Sequence, residues 1–342
     1  MTRADYFHKT PLDEAFYRER LQLRMPREIV DAHLHVSLPA HSAGLSRESI
    51  RNDWALQCGV AMPHEKARYY WSALAPDARV ELLALPLVHP DADIPANNAY
   101  LAGLAGAGGL SALMAVRPEW EASRCERELE EGGFAGFKPY PYMASRAKGA
   151  EVGIFDFLPR AQLDVLQRRR AAVLIHLPRA GRLADDDNAA ELKAMVDGWP
   201  DVRVVVAHFG RAFNPKVLDE GARKLGDYAR ALHWDCSAVL NPEVYAIAFD
   251  RLDRDKILFG SDLPILRWHG RRRWTENAYR NLCREDFPWN AHEEGAAAEA
   301  RYVFFLYEQL NNILDGIART GDGALRDKLF AANARRVYRL SK

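Results

Sequence analysis

The sequence predicts a closed parallel barrel of the TIM (β/α)8 type, an α/β fold. Eight short apolar runs rich in β-branched residues alternate with longer stretches of helical periodicity along the 342 residues. The predicted strands are 29–36, 81–89, 110–117, 135–140, 172–178, 202–210, 231–239 and 257–265. Each run is almost continuously apolar, which is typical of strands covered on both faces in a parallel sheet. The turn after the first run lacks the glycines of a dinucleotide-binding sheet, so an open doubly wound sheet is less favoured.

The segments between the runs carry helix signals. A short helix is expected over 11–24, in an N-terminal extension of residues 1–27. Further helices are predicted between the strands, each bounded by Pro, Gly, Asp or Asn. They are 156–170, 188–198, 215–230 and 242–254. The segment 267–299 is an insertion after the last strand, and we expect a single domain over 1–342.

Composition and charge narrow the class of protein. Hydrophobic residues make up 48% of the chain, and 47 basic residues balance 47 acidic ones, which disfavours binding to nucleic acid or to an anionic membrane surface. The four cysteines lie far apart, without the spacing of a disulfide framework or a thiolate zinc site. No apolar run is long enough to cross a bilayer. We therefore expect a cytoplasmic protein.

The first predicted strand carries two histidines at alternate positions. Side chains alternate across a strand, so His33 and His35 are expected on one face, with Val30, Ala32 and Leu34 on the other. Two imidazoles would then converge on one point. Alone, this pattern fits a metal site or two structurally packed histidines equally well.

Other predicted strands also end in polar residues. In a parallel barrel, functional side chains lie at the C-terminal ends of the strands. Besides His33 and His35 on strand 1, these ends carry Lys138 on strand 4, His176 on strand 5, His208 on strand 6 and Asp262 on strand 8. Each has an ordinary structural explanation, such as a hydrogen-bonded core histidine. Their common register with the strand ends favours one shared site.

This order of motifs resembles the amidohydrolase superfamily, in its amidohydrolase-related branch of metal-dependent hydrolases and decarboxylases. The resemblance rests on D-x-H-x-H, the later histidines and G-S-D, and it extends to Asn333-Ala334-Arg335-Arg336. It implies that one divalent ion, zinc first with manganese or another ion as the alternative, is bound by four residues. They are His33, His35, His176 and Asp262.

The resemblance also implies roles in the reaction. A metal-activated water would attack the substrate, Asp262 would take its proton, and His208, beside the ion, would polarise the carbonyl. A binuclear centre would need a carboxylated Lys138, and we expect a mononuclear centre because this branch commonly has one. Relatives in the branch are often dimers, so a homodimer is an expectation.

Arginines that follow the candidate ligands indicate an anionic substrate. Guanidinium groups bind carboxylates bidentately. The predicted substrate-binding residues are Arg179, Arg211, Arg267, Lys138 and Tyr140. For 271–273 a solvated loop, or pairing with Glu276, Glu285 and Asp286, is equally favoured.

Aromatic residues leave a further choice open. Trp268, Trp274 and Trp289 could form a lid with Tyr140 and Tyr142, or pack the insertion onto the barrel, and packing is preferred for the tryptophans.

Three functions remain in view. Hydrolysis of an ester, lactone or amide of a small carboxylated compound is favoured, because it uses metal-activated water directly. Non-oxidative decarboxylation of an aromatic or unsaturated acid is the alternative. A non-catalytic metal-binding barrel is the third.

Overall fold

Eight parallel strands form the centre of the computed structural model, which describes residues 8–59, 61–144, 151–275 and 279–340. The strands are β1 (Glu28–His35), β2 (Arg79–Leu85), β3 (Ser111–Ala112 and Met114–Ala115), β4 (Gly136–Lys138), β5 (Ala172–Ile175), β6 (Arg203–Val206), β7 (His233–Asp235) and β8 (Ile257–Leu258). Each pairs in parallel with its neighbour in sequence, and Leu113 joins the halves of β3 while donating to the Ala84 carbonyl. β1 has the same length as its predicted run, eight residues, and each of the other seven strands is shorter than the apolar run that predicted it.

Hydrogen bonds between the β8 side and β1 close the sheet into a barrel. The Ala32 amide donates to the Phe259 carbonyl over 3.1 Å, and the Asp262 amide donates to the His33 carbonyl over 2.7 Å. The His35 amide donates to the Leu263 carbonyl over 2.8 Å. The predicted TIM barrel is therefore confirmed.

A long helix follows each strand and covers the barrel. These helices are α1 (His64–Leu74), α2 (Ile94–Gly106), α3 (Ala122–Glu131), α4 (Arg160–Arg169), α5 (Asp186–Gly198), α6 (Pro215–Leu225), α7 (Pro242–Arg251) and α8 (Phe305–Thr320), and α9 (Asn333–Tyr338) packs against the residues that fill the barrel. The predicted helix 156–170 is divided before Pro159, which precedes α4, and 215–230 is divided at Gly226, where φ is +59°.

Shorter helical segments occupy the loops and the ends of the chain. They are Pro11–Phe16, Tyr17–Leu21, Pro39–Ser42, Arg47–Asn52, Trp54–Cys58, Ile154–Phe157, Arg182–Ala184, Tyr228–Ala231, Arg254–Lys256, Ala296–Glu299, Leu325–Asp327 and Lys328–Ala332. Among the described residues, no helix is long and apolar enough to cross a membrane.

A bulge in β1 decides which residues face the inside of the barrel. Its register against β2 slips between Asp31 and Leu34, where β1 has one extra residue. Val30 and Ala32 pack inside the barrel, whereas Leu34 packs in the outer core towards the helices. The predicted shared face for Val30, Ala32 and Leu34 is therefore wrong, because the strand is not regular throughout.

The insertion after β8 folds as an antiparallel hairpin, β9 (Gly270–Trp274) and β10 (Tyr279–Cys283). Trp268 is buried and stacks on Phe305 of α8, with ring centroids 4.2 Å apart. Trp289 packs against Trp268 at 5.4 Å. These two tryptophans pack the insertion onto the barrel, as preferred from the sequence.

The N-terminal extension is also fixed to this insertion. The buried carboxylate of Asp13 accepts a hydrogen bond from the Phe304 amide over 3.0 Å and lies 2.9 Å from Nε2 of His269. Nδ1 of His269 lies 2.7 Å from Oε1 of Glu285. One imidazole thus connects the extension with the residues on either side of the β9–β10 hairpin.

Candidate active site

His33, His35 and Asp262 meet at the C-terminal rim of the barrel. Oδ1 of Asp262 lies 3.5 Å from Nε2 of His33 and 3.8 Å from Nε2 of His35. One ligand atom from each residue lies within 4.8 Å of the other two. Ligand atoms bound to a single zinc ion at roughly 2.0–2.2 Å have separations of this kind, so these residues fit a divalent metal.

Both histidines are oriented through their Nδ1 atoms. Nδ1 of His33 bonds to Oδ2 of Asp235, which follows Trp234 on β7, and Nδ1 of His35 bonds to the Pro86 carbonyl over 2.9 Å. A partner on Nδ1 fixes the tautomer that leaves the Nε2 lone pair available as a ligand. Both Nε2 atoms therefore present lone pairs on the side of Asp262.

A second group of potential ligand atoms has a different explanation. His33, His208 and Asp235 also offer atoms within 4.8 Å of one another. Here, however, Asp235 is already bonded to His33, and Nδ1 of His208 bonds to the Ser237 carbonyl over 2.8 Å. We interpret this group as hydrogen-bonded support for the first one. No motif in the sequence indicated that Asp235 or Ser237 belongs to the site.

Asp31, the Asp of the D-x-H-x-H motif, has a structural role. Its Oδ1 accepts from the Ser261 amide at 2.8 Å, and its Oδ2 accepts from the Ser261 hydroxyl at 2.6 Å and from Nε1 of Trp71 at 2.9 Å. Ser261 directly precedes Asp262. The buried Asp31 therefore fixes the Asp262 loop to the strand that carries the histidines.

His208 lies in a turn of left-handed backbone. The φ angles of His208, Phe209 and Arg211 are +55°, +49° and +61°. Such conformations are costly for residues other than glycine and often occur at functional sites. The His208 ring is 4.9 Å from that of His33, and the Ser237 hydroxyl lies 2.9 Å from its Nδ1.

His176 and Lys138 line the same pocket. The His176 ring centroid is 5.5 Å from that of His208 and 5.0 Å from that of Tyr140, but His176 does not belong to either group within 4.8 Å among the described residues. Nζ of Lys138 is buried without a hydrogen-bond partner among the described residues, 4.9 Å from the Tyr140 ring. It is a cation available to a ligand.

Burial controls the charge states in this pocket. It lowers the pKa of both His35 and His208 to about 3, and lowers that of Lys138 to about 8. Burial and the nearby Asp235 raise the pKa of Asp262 well above its usual value. Neutral imidazoles are the form that binds a metal.

The pocket above these residues measures about 1160 Å³, including the part open to solvent. Arg211 and Tyr140, which the sequence predicts to bind substrate, line it. Arg272, for which substrate binding and a solvated loop were equally favoured, lines it too, and so does Arg182, which no pattern indicated.

Two predicted substrate ligands do not line the pocket. Arg179 pairs with Glu191 of α5 over 3.0 Å, and Arg267 donates to the Cys58 carbonyl from Nε and Nη2. Both predictions are corrected, because these guanidinium groups are used to anchor loops. Proximity to a ligand in sequence did not reveal the direction of either side chain.

The three arginines of 271–273 have different surroundings. Arg271 pairs with Glu294 and Arg273 with Glu293, rather than with Glu285 or Asp286, and Glu276 lies outside the described residues. Arg272 lies on the opposite face of the hairpin, which faces the barrel, and it is 4% exposed.

A barrel whose C-terminal rim carries imidazoles, a carboxylate and a buried lysine around one pocket has the arrangement of a TIM-barrel enzyme. The family model described as amidohydrolase matches residues 30–340. The chain belongs to the amidohydrolase family, which confirms the resemblance seen in the sequence. No curated protein matches the chain.

Solved structures share the fold at low sequence identity. A 2,6-dihydroxybenzoate decarboxylase complexed with 2,6-dihydroxybenzoate is 14% identical, with a TM-score of 0.58 over 92% of this chain and 100% of that one. A probable 2-pyrone-4,6-dicarboxylic acid hydrolase from Acinetobacter baumannii, with citric acid bound, is 13% identical, with a TM-score of 0.57 over 91% and 99%. A dihydroxybenzoic acid decarboxylase from a Polaromonas species, with bound manganese and an inhibitor, is 16% identical, with a TM-score of 0.55 over 93% and 98%. At this identity the likeness shows the fold alone.

Proposed function

We propose that this protein is a metal-dependent hydrolase acting on an ester, lactone or amide of a small carboxylated substrate. The observation that supports it most strongly is the convergence of His33, His35 and Asp262 ligand atoms at the pocket. His176 would complete the ligand set from the opposite wall. Three imidazoles and a carboxylate suit zinc, with manganese as the alternative.

When bound, a divalent ion lowers the pKa of a coordinated water to about 7 and so supplies hydroxide near neutral pH. Asp262 accepts the proton of the attacking water and returns it to the leaving group. A carboxylate placed beside the attacking water can hold its proton transiently.

His208 supports proton transfer on the same face. Because its Nδ1 proton is donated to the Ser237 carbonyl, the neutral ring presents a lone pair at Nε2. It accepts a proton in this form and donates to a developing negative charge only after protonation. The carbonyl-polarising role predicted from the sequence therefore requires the imidazolium form.

Substrate binding is assigned to cations and an aromatic ring of the pocket. Lys138 and Arg211 attract a small anionic substrate, and Tyr140 packs against it.

Decarboxylation is the second candidate. The buried ammonium of Lys138, which has no hydrogen-bond partner within the described part of the chain, would hold a carboxylate beside Asp262. Two of the structural neighbours described above are decarboxylases of dihydroxybenzoates. The same ligand set serves either reaction, so products must decide.

The test supplies zinc or manganese to the purified protein and measures two products. Carboxylated lactones, esters and amides are followed by acid release, and 2,6-dihydroxybenzoate by carbon dioxide release. We expect acid release that falls roughly 100-fold or more in Asp262→Asn and in His208→Asn, while the exposed-site control His292→Gln is unchanged. Carbon dioxide release without acid release would establish the decarboxylase instead, and full activity in His208→Asn would contradict its catalytic role.

A further inference from the structure

The insertion after β8 contributes a buried cation to the pocket. Along β9 the side chains alternate, so that Arg271 and Arg273 face solvent and pair with glutamates, while Arg272 faces inward. Arg272 lines the same pocket as the candidate metal ligands. The hairpin therefore forms part of the active-site wall.

The inward guanidinium group is held in a fixed position. Nη1 of Arg272 donates to the Ala238 carbonyl over 2.6 Å, and Nε donates to Oδ1 of Asn281, its partner across the hairpin, over 2.9 Å. Its Cζ lies 4.3 Å from the Tyr279 ring centroid and 5.2 Å from that of Phe213. These contacts use two of its five N–H donors and orient the rest.

No carboxylate of the described residues forms an ion pair with Arg272. Burying a cation is costly, and the Asp262 carboxylate, which is not in contact with Arg272, and the neutral carbonyl and amide acceptors offset that cost only in part. Burial accordingly lowers the pKa of Arg272, although its guanidinium stays charged near neutrality. An anionic ligand would offset the remaining cost of burying the Arg272 charge.

Arg211 is likewise held by backbone carbonyls. Its Nη1 lies within hydrogen-bond distance of three consecutive carbonyls, those of Leu177, Pro178 and Arg179, at 3.0, 3.2 and 3.3 Å. It too lines the pocket and forms no ion pair with a described carboxylate. Among the residues that the structure describes, Nε and Nη2 of Arg211 form no hydrogen bond, so these donors remain for a ligand.

Phe213 lies between one of these cations, Arg272, and His208. Its ring centroid is 6.1 Å from that of His208 and 5.2 Å from Cζ of Arg272. Phe213 also contacts Tyr279 at 4.9 Å, so the wall between the two ends is aromatic. A molecule of one ring with substituents on both sides is of a size to contact both ends.

We propose that Arg272 and Arg211 form a site for a second carboxylate, so that the substrate is a small, planar dicarboxylate. One acidic end, or the bond that reacts, lies at His33, His35 and Asp262, and the other carboxylate pairs with the two guanidinium groups. The inference rests on the proposed function, since it places the reaction at those three residues. It also assigns the insertion a role in substrate specificity.

The test compares two unreactive probes, isophthalate with two carboxylates and benzoate with one, by calorimetric titration of the zinc-loaded protein. Wild type is expected to bind isophthalate at least roughly tenfold more tightly than benzoate. Arg272→Gln should lose on the order of 10- to 100-fold in isophthalate affinity with little change for benzoate. Arg272→Lys keeps the charge without the planar fork, so its affinity for isophthalate should lie between those of wild type and Arg272→Gln.

Arg273→Gln is the matched control, since it removes the neighbouring guanidinium on the solvent face of the same strand. It should leave both affinities unchanged. Equal affinity of wild type for the two probes, including failure to bind either, would overturn the proposal. So would an equal loss of affinity for isophthalate and for benzoate in both Arg272→Gln and Arg272→Lys.

Zinc titration of the same variants separates this proposal from the proposed function. If zinc binds normally to wild type and to Arg272→Gln but isophthalate gains nothing from Arg272, only the second-carboxylate site fails. If wild type binds no zinc, the metal-dependent function fails, and the preference for isophthalate in the zinc-free protein, with its loss in Arg272→Gln, still decides the role of Arg272.

Discussion

The orientation of His33 depends on a carboxylate that no motif of the sequence indicates. Asp235 is the last residue of β7, and Ser237 lies two positions after it. The Ser237 hydroxyl donates to Oδ2 of Asp235 over 2.9 Å. The same hydroxyl lies 3.1 Å from Nδ1 of His33. A carboxylate behind a metal-binding histidine fixes the ring and increases its basicity. We therefore interpret Asp235 as a positioning residue for the proposed metal site.

We predict that Asp235→Asn weakens zinc binding by about 10- to 100-fold, because His33 loses the carboxylate behind it. Competition with a chromophoric chelator measures the affinity. Asp250→Asn, which changes an exposed carboxylate on α7, should leave it unchanged. An unaltered affinity in Asp235→Asn would show that Asp235 only fills space.

At the residue scale, the sequence identifies candidate ligands better than their supports. His33, His35 and Asp262 come together because their positions at strand ends already place them on one rim. Asp235 is 202 positions from His33, and a single Asp after an apolar run gives no sign of its partner. Arg179 and Arg182 occupy one turn, where spacing alone cannot show which one faces the pocket.

The bulge in β1 is the main element that the periodic pattern could not predict. With strict alternation, a strand that points Val30 and Ala32 into the barrel would point His33 and His35 towards the helices. The extra residue between Asp31 and Leu34 reverses the alternation, so the histidines face inward. Asp31 remains on the outer side, where it bonds to Trp71 of α1.

The contact between the N-terminal extension and the insertion depends on the charge of His269. Burial disfavours that charge, but bonds to Asp13 and Glu285 outweigh burial and raise the pKa of His269. Nη2 of Arg284 lies 2.8 Å from its Nδ1 and opposes the two carboxylates. A raised pKa adds stability that is fully present below the unfolded value of about 6.5 and is lost as pH rises through the folded value.

We predict that the free energy of unfolding of wild type falls as pH rises above about 6.5, by up to about 1.4 kcal/mol per pH unit, and that His269→Gln lacks this part of the decline. Urea unfolding at several pH values measures it. His8→Gln removes an exposed imidazole of the same N-terminal extension and should behave like wild type. A parallel decline in His269→Gln and wild type would contradict the assignment.

For the whole molecule, eight apolar runs were sufficient to predict the barrel, because a closed parallel sheet buries every strand on both faces. The runs exceed the strands because apolar residues continue into the rim, as between Val206 and Gly210 of 202–210. The fold of 267–299 could not be predicted, since the hairpin is held by contacts such as Trp268 on Phe305 that lie far apart in sequence.

The central claim is a metal site at the rim that the reaction requires, and elemental mass spectrometry tests it most directly. Protein equilibrated with zinc and then dialysed is compared with His35→Gln, Asp262→Asn and the control His292→Gln. We predict one zinc ion per chain in wild type and control, and its loss in both ligand variants. Absence of zinc from wild type, or zinc retained in both ligand variants, would contradict the account.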